Sequence, residues 1–321
     1  MSAQVKIDGL SLAYGAGEAA VLALDRITLT SNRGQVVGLV GESGSGKTTL
    51  GFALGRLLPQ GVRPTEGRVE ICGLDVWSAD VRALRALRRK RLRFIFQDPM
   101  SSLDPTRRIG RQIAEAIEPM ADRTALLAVL DEVGLHDHDR ILSAWPHQLS
   151  GGMAQRAAIA IALIAEPDVI VADEATSALD ASVRARILAL LRERAKARGI
   201  TLLLLSHDLQ AVRRYCDRVA VMYAGRIVEE GPLPTVFDTP AHPYTAALLA
   251  ATPGLERPGE TLPTIPGTVT PRRKAAEDCA FASRCTHARP ERCRTERPEP
   301  LSVCSGRSVL CHFPLRYEGT P

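Results

Sequence analysis

The glycine-rich stretch at residues 41–48 limits the fold more than any other feature of the sequence. It reads Gly-Glu-Ser-Gly-Ser-Gly-Lys-Thr and fits the pattern G-x-x-x-x-G-K-[ST]. An apolar, β-rich run at residues 35–40 precedes it, and residues 48–58 have the pattern of a helix. A strand, a glycine loop and a helix in this order open a parallel α/β unit. We therefore predict an α/β fold whose first loop binds phosphate.

The residue types in this loop suit a nucleotide. Its glycines let backbone N–H groups turn towards an anion, which the positive end of the following helix also favours. Lys47 can reach the β- and γ-phosphates, and Thr48 can ligate Mg²⁺. ATP and Mg²⁺ are thus the expected cofactors. The loop residues predicted to bind the nucleotide are Gly41, Ser43, Gly44, Gly46, Lys47, Thr48 and Thr49.

A second apolar run, at residues 169–172, ends in Asp173 and Glu174. A carboxylate at the carboxyl end of a strand faces the ligand crevice of an open α/β sheet. We expect Asp173 to hold Mg²⁺, usually through water, and Glu174 to orient or deprotonate the attacking water. Such a pair is often only structural, but the phosphate loop upstream favours the catalytic interpretation.

Residues 149–153, Leu-Ser-Gly-Gly-Met, precede a predicted helix at 154–165. Small residues with free N–H groups at a helix N-terminus make an anion site. Ser150, Gly151 and Gly152 therefore form a candidate second phosphate site. A chain with two such sites needs either a large cleft or a partner chain.

Several features exclude other classes of protein. The net charge of +5, from 41 basic and 36 acidic residues, is too small to indicate nucleic-acid binding. The arginine-rich stretch at residues 81–93 contains no aromatic residue and is typical of a solvated helix face. No apolar run approaches the roughly 20 residues of a bilayer span, and residues 1–8 lack the pattern of a signal peptide. We therefore expect a cytoplasmic protein that reaches a membrane through a partner.

Taken in order, these motifs resemble the nucleotide-binding subunit of ABC (ATP-binding cassette) transporters. The resemblance covers residues 5–250 and implies a P-loop NTPase cassette with a mixed sheet core, an antiparallel β subdomain and a helical subdomain at about 105–165. It also implies catalytic roles for Glu174, Gln97 and His207, with Gln97 contacting Mg²⁺. The matching positions are Tyr14 for the aromatic that stacks on adenine, Gln97 for the glutamine loop, residues 149–153 for the signature, residues 177–180 with Asp180 for the D-loop, and His207 for the switch histidine.

The resemblance implies partners as well. Two such subunits meet head to tail, so that Ser150 and Gly152 of one close on the ATP held by Lys47 of the other. The second ATPase is identical or, more commonly in this branch, a paralogue. Two membrane permease subunits and an extracytoplasmic solute-binding protein complete such a system.

The C-terminal part resembles a narrower branch of the family. Thr-Pro-Ala-His-Pro-Tyr-Thr at residues 239–245 is similar to the His-Pro-Tyr element of the oligopeptide, dipeptide and nickel importer ATPases. We therefore predict an importer of di- or oligopeptides or of related small solutes such as nickel chelates, with a cassette at 1–252 and a Pro- and Cys-rich extension at 253–321. The alternative is a soluble ABC ATPase that acts on nucleic acid or ribosomes.

Five cysteines lie within the last 43 residues. In a reducing compartment such a group favours metal ligation over disulfides. We predict that Cys279, Cys285, Cys293 and Cys311 bind one metal centre, a [4Fe–4S] cluster in preference to zinc, because they lack the short C-x₂-C spacing of structural zinc sites. The family's cysteine segment implies the same centre. The alternative is that these cysteines are free thiols or form disulfides. Cys304 is not included among the predicted ligands. ATP chemistry is not expected to depend directly on this segment.

Overall fold

A computed structural model describes residues 3–15, 20–176, 178–252, 263–269, 272, 277–304 and 306–315. The strands are β1 (Ala3–Tyr14), β2 (Val21–Asn32), β3 (Val36–Val40), β4 (Pro64–Ile71), β5 (Leu74–Asp75), β6 (Leu92–Ile95), β7 (Val169–Asp173), β8 (Thr201–Ser206), β9 (Arg218–Tyr223), β10 (Arg226–Pro232), β11 (Leu301–Cys304) and β12 (Arg307–Val309).

The helices alternate with these strands or follow them. They are α1 (Lys47–Leu54), α2 (Val81–Lys90), α3 (Pro99–Ser102), α4 (Ile109–Ala114), α5 (Arg123–Glu132), α6 (His138–Ser143), α7 (Gly151–Leu163), α8 (Ala181–Arg198), α9 (Leu209–Tyr215), α10 (Leu233–Asp238), α11 (Pro243–Ala250) and α12 (Pro290–Cys293), with a 3₁₀ turn at Pro146–Gln148. No described helix has the length and apolar character that a bilayer span needs.

The chain divides into two compact units. Unit 1 contains Met1–Val5, Thr30–Val36 and Glu70–Leu205, and unit 2 contains Lys6–Leu29, Val37–Val69 and Ser206–Pro321.

Three parallel strands form the centre of unit 1. β7 pairs with β6 on one side and with β8 on the other, with Ala172 opposite Ile95 and Asp173 opposite Leu205. Every residue of β7 and of β8 is buried. This uniform burial explains why both strands read as continuous apolar runs, as expected for parallel strands covered on both faces. The carboxyl ends of the three strands therefore meet at one edge.

Local sequence explains where two helices of unit 1 begin or end. α2 begins at the cap Asp80, whose side chain accepts the N–H of Ala83, and it buries Leu84 and Leu87. Most of its arginines point to solvent, as a solvated helix face requires. α8 spans Ala181–Arg198 and ends at Gly199, which adopts a left-handed φ of 70°. A left-handed glycine is the commonest way for a helix to stop.

A mixed sheet forms the centre of unit 2. β3 and β9 run parallel, with Val40 opposite Val221. β10 pairs antiparallel with β9 and with β12, and β12 pairs antiparallel with β11. The last two strands come from the Pro- and Cys-rich C-terminal segment. That segment thus contributes strands to the same sheet that carries the phosphate loop.

Two predicted helices have different boundaries in the structure. α1 ends at Leu54 rather than at residue 58, because Gly55 follows as the cap and Arg56 takes a positive φ of 51° that a helix cannot contain. α7 begins at Gly151 rather than at residue 154. The hydroxyl of Ser150 accepts the N–H of Met153 and so starts the helix three residues earlier.

Candidate functional site

The phosphate loop in unit 2 connects β3 to α1, as predicted. Lys47 is the first residue of α1 and is 8% exposed. Its Nζ donates to the carbonyl oxygens of Gly41, at 2.7 Å, and of Glu42, at 3.0 Å. The ammonium group is therefore held inside the curve of the loop, where a phosphate oxygen can replace a carbonyl as its acceptor.

Two loop glycines are required by their surroundings. Gly41 has a φ of 152°, and a Cβ added there would lie 2.2 Å from the carbonyl oxygen of Met222. Gly46 has a φ of 102°, and its added Cβ would lie 2.8 Å from the carbonyl oxygen of Ala23. Any side chain at either position would collide with backbone that cannot move freely. The other loop residues proposed for phosphate binding, Ser43, Gly44 and Thr48, are exposed.

Tyr14 lies at the end of β1 in the same unit. Its hydroxyl is 3.4 Å from the hydroxyl of Thr49, the third residue of α1. This contact brings two predicted nucleotide residues together and fixes the aromatic ring next to the helix that follows the phosphate loop.

The acid pair in unit 1 lies where β7 ends. Asp173 is the last residue of the strand and is buried, and the half-buried Glu174 follows it. Glu174 has a left-handed φ of 44°, and its N–H donates to the carbonyl of Leu205 at 3.0 Å. A non-glycine residue in this region costs about 1 kcal/mol or more. Sequence patterns gave no indication of this backbone strain.

Gln97 reaches the same edge of unit 1 as the acid pair. It lies two residues beyond Ile95, which pairs with Ala172, and its side chain is exposed. The buried Gln155 donates from Nε2 to the carbonyl of Phe96 at 3.2 Å. Gln155, on α7, therefore holds the chain just before Gln97. We did not predict this role, although a glutamine within a largely apolar helix was a signal in the sequence that could have indicated it.

The signature residues form the first turn of α7. Ser150 is the N-cap, and the backbone N–H groups of Gly151 and Gly152 belong to the first turn, where no intrahelical acceptor exists. Ser150 and Gly151 are exposed. The predicted anion-binding arrangement is therefore present on the surface of unit 1.

The remaining predicted residues occupy simpler surroundings. Asp180 caps α8, accepting the N–H groups of Ser182 at 3.1 Å and Val183 at 3.0 Å, and these hydrogen bonds help to lower its pKa. Ser177 lies outside the described residues. His207 is exposed and follows directly after β8.

Four C-terminal cysteines line one small cavity in unit 2. They are Cys279, Cys285, Cys293 and Cys311, and His312 lines it too, whereas Cys304 lies exposed on β11. Burial raises the pKa of the Cys279 and Cys285 thiols and raises that of Cys311 to about 12. The backbone N–H groups of Phe281, His287 and Phe313 donate to these three sulfurs and act in the opposite direction. Among the described residues, no group of three or more Cys, His, Asp or Glu side chains is arranged to hold a metal ion.

The C-terminal part also contacts the phosphate loop directly. The hydroxyl of Tyr244 accepts the N–H of Glu42 at 3.0 Å, and Arg284 forms an ion pair with the Glu42 carboxylate. Residues more than 200 positions apart in the sequence therefore meet in unit 2. His242 caps α11 by accepting the N–H of Tyr244.

Comparison with curated proteins matches the chain over nearly its whole length. The probable D,D-dipeptide transport ATP-binding protein DdpD of Escherichia coli (strain K12) is 41% identical over 312 residues, which are 95% of this chain and 94% of that protein. The dipeptide transport ATP-binding protein DppD of the same strain is 38% identical over 99% of both chains. The chain belongs to the ABC transporter ATPases.

Family matches divide along this ABC ATPase as the motifs do. The family described as ABC transporter matches residues 24–177, from β2 to just beyond the acid pair. The family described as oligopeptide/dipeptide transporter, C-terminal region, matches residues 228–293. The enzymatic prediction, ATP hydrolysis coupled to transport, is confirmed by this membership.

Solved structures confirm the predicted cassette fold of the ABC ATPase. A dimeric structure of MJ0796, described as a bacterial ABC transporter cassette, aligns with a TM-score of 0.65 at 30% identity, over 71% of this chain and 98% of that one. A post-hydrolysis dimer of the same cassette, bound to ADP and Pi, aligns with a TM-score of 0.64. The P-loop NTPase cassette with a mixed sheet and helical parts is thus the fold of this chain.

Proposed function

We propose that this ABC ATPase powers the import of di- or oligopeptides across the cell membrane. The observation that carries the proposal is the match of residues 228–293 to the oligopeptide/dipeptide transporter C-terminal region. The dipeptide transport names of its E. coli relatives agree with it. Nickel chelates and other small solutes are the alternative cargo. Action on nucleic acid gains no support from these relatives.

We propose the following roles at the nucleotide. Lys47 and the loop N–H groups bind the phosphates, Tyr14 stacks on adenine, and Mg²⁺ is held by Thr48, Asp173 and Gln97. Glu174 orients or deprotonates the attacking water, and His207 senses the γ-phosphate. The exposed positions of Ser43, Gly44 and Thr48 suit this arrangement because a phosphate can approach them from solvent.

The signature residues are assigned to the nucleotide of a second subunit. Ser150, Gly151 and Gly152 present unsatisfied N–H groups at an exposed helix start, which is the arrangement that an anion from outside would use. We propose a head-to-tail dimer with a paralogous ATPase, two permease subunits and an extracytoplasmic solute-binding protein. In this complex the chain lies at the inner face of the membrane. We propose that residues 1–252 form its cassette and that residues 253–321 form an extension.

The surface from Gln97 to Asp104 is the proposed contact with the permease. Met100 offers an apolar side chain that is 43% exposed, and it lies on the short helix α3, which begins two residues after Gln97. A cysteine introduced at the exposed Ser101 should cross-link to a membrane subunit. Labelling of soluble proteins alone would contradict the assignment, and a cysteine at the exposed Glu193 of α8 is the matched control.

Transport itself is tested in proteoliposomes that contain the permease subunits and the partner ATPase. Peptides delivered by the binding protein should raise the rate of ATP hydrolysis and should be transported across the proteoliposome membrane. A nickel chelate should do neither. The reverse preference would replace the peptide proposal by the nickel one. Co-purification with RNA or DNA in place of membrane subunits would overturn import altogether.

We also propose that the four cavity cysteines hold a [4Fe–4S] cluster, with zinc as the alternative metal. The support is chemical: Cys279, Cys285, Cys293 and Cys311 line one cavity, and three of their sulfurs already accept backbone N–H groups, as metal-bound thiolates commonly do. Such a centre would supply folding energy to a segment with little apolar core. Anaerobic purification followed by iron, sulfide and zinc analysis tests it, and a colourless, metal-free, folded protein would exclude it.

A further inference from the structure

An acidic side chain lies inside the phosphate loop. Glu42 directly follows Gly41, and its own carbonyl oxygen accepts a hydrogen bond from Lys47. Its carboxylate therefore belongs to the same short loop as the cation that is assigned to the phosphates. Two anions in one loop repel each other, so an unpaired carboxylate here would weaken the binding of a nucleotide.

Arg284 of the C-terminal segment neutralises this carboxylate. Its Nη1 lies 2.7 Å from Oε2 of Glu42 and its Nη2 lies 3.0 Å from Oε1. This is the two-pronged arrangement that makes arginine–carboxylate pairs strong and directional. The side chain of Arg284 is only 4% exposed, whereas that of Glu42 is 29% exposed. The guanidinium thus reaches the loop from its buried side, opposite to solvent.

The position of Arg284 is fixed by contacts other than Glu42. Its Nε donates to the carbonyl of Pro266 at 2.6 Å, and its Nη1 lies 3.3 Å from the hydroxyl of Tyr223. The guanidinium carbon lies 5.7 Å from the centre of the Tyr223 ring. Because these partners hold the cation in place, it is preorganised before any nucleotide arrives.

An aromatic cluster supports the same part of the loop. The rings of Tyr223, Tyr244 and Phe281 pack against one another with centroid distances of 4.7 to 5.3 Å. Tyr244 uses its hydroxyl to accept the N–H of Glu42. The C-terminal part therefore holds both the backbone and the side chain of this one loop residue.

We propose that Arg284 is a positioning residue of the ATP site, which cancels the charge of Glu42 and so allows the phosphate loop to accept a polyanion. The proposal rests on the assignment of the loop residues to ATP phosphates. A purely structural tie between the C-terminal segment and the loop is the competing explanation. The two explanations differ in what they expect when the carboxylate is removed.

The test measures ATP affinity in four proteins by titration with a fluorescent ATP analogue: wild type, Arg284→Gln, Glu42→Gln and the double variant. Arg284→Gln should weaken binding about tenfold, because one uncompensated charge faces the phosphates at short range. Glu42→Gln should tighten binding, since the positive charge of Arg284 is then no longer offset by a carboxylate in the loop. The double variant should return to near the wild-type affinity. Opposite effects of the two single variants are the decisive result.

A structural tie predicts otherwise. Both single variants would then weaken binding, and the double variant would not recover; that outcome overturns the proposal. Arg292→Gln, which removes an exposed arginine of the same segment, is the matched control and should leave the affinity unchanged. If Arg284→Gln fails to fold, Glu42→Gln alone tests the proposal. Unchanged or weaker ATP binding by Glu42→Gln would then contradict it. Loss of binding in Lys47→Ala verifies the underlying assignment separately.

Discussion

His242 should make the stability of this protein depend on pH. The side chain is 1% exposed, and burial lowers the pKa of its imidazole from 6.5 to about 3. Its Nδ1 accepts the N–H of Tyr244, so the ring caps α11 in its neutral form. The carboxylate of Glu229, which pairs with Arg307, accepts the backbone N–H of His242 at 2.9 Å. The backbone of Leu310 acts in the opposite direction and favours protonation of the imidazole, but burial has the larger effect on its pKa.

The sign follows from which state binds the proton. Below about pH 6.5 the unfolded chain takes up a proton on His242 that the folded chain refuses until the pH nears about 3. Stability therefore falls as the pH falls through this window, by up to about 1.4 kcal/mol per pH unit. Integrated from about pH 8 to about pH 5, the loss from this one group is about 2 kcal/mol.

The assay is urea unfolding, followed by circular dichroism, of wild type and His242→Asn. Asparagine keeps the cap because its side-chain oxygen can accept the same N–H. The variant should be less stable at pH 8 through lost packing, but it should lose about 2 kcal/mol less than wild type between pH 8 and pH 5. Leu249→Ala removes buried volume from the same helix without removing a titrating group. Its free energy of unfolding should therefore change with pH as much as that of wild type. An equally steep loss in His242→Asn would refute the reasoning.

Three further substitutions test the site and the core. Glu174→Gln should retain ATP binding but nearly stop turnover, since an amide cannot accept the proton of water; a phosphate-release assay that finds wild-type hydrolysis would remove Glu174 from this role. Lys47→Ala should weaken ATP binding about 10- to 150-fold, the equivalent of a lost charge-assisted contact, and unchanged affinity in a titration would contradict this. Asp25→Asn should cost about 3–5 kcal/mol, because the buried Arg226 at 2.5 Å and Arg297 at 2.7 Å lose their shared carboxylate. A change below about 1 kcal/mol in urea unfolding would show that the pair is dispensable.

Sequence patterns predicted the nucleotide elements well because each is local. The phosphate loop and the acid pair at the end of β7 both depend on a few consecutive residues whose chemistry can be read directly. The edge shared by Gln97 and the acid pair also follows from a general rule, because parallel strands end together. Chain order and strand direction were enough to place these side chains within unit 1.

The unpredicted features depend on distant residues or on backbone strain. Arg284 and Glu42 are 242 positions apart, so no local pattern joins them. β11 and β12 have four and three residues, too short for a period of two to stand out in a Pro-rich segment. The left-handed φ of Glu174 is imposed by its surroundings, because the side chain itself disfavours it. A single sequence contains none of these constraints in readable form.

The pairing of β12 with β10 gives the C-terminal segment a protective role for the rest of the chain. Without it, β10 would present a row of open N–H and C=O groups, which invites strand-to-strand association between copies. Arg307 would also leave Glu229, a fully buried carboxylate whose Oε1 it holds at 2.5 Å. Loss of the segment would therefore leave the buried charge of Glu229 unpaired and the edge of β10 uncovered at the same time. Shortened versions that stop at the end of the ATP-binding motifs would therefore be prone to aggregation, even though every nucleotide residue remains in them.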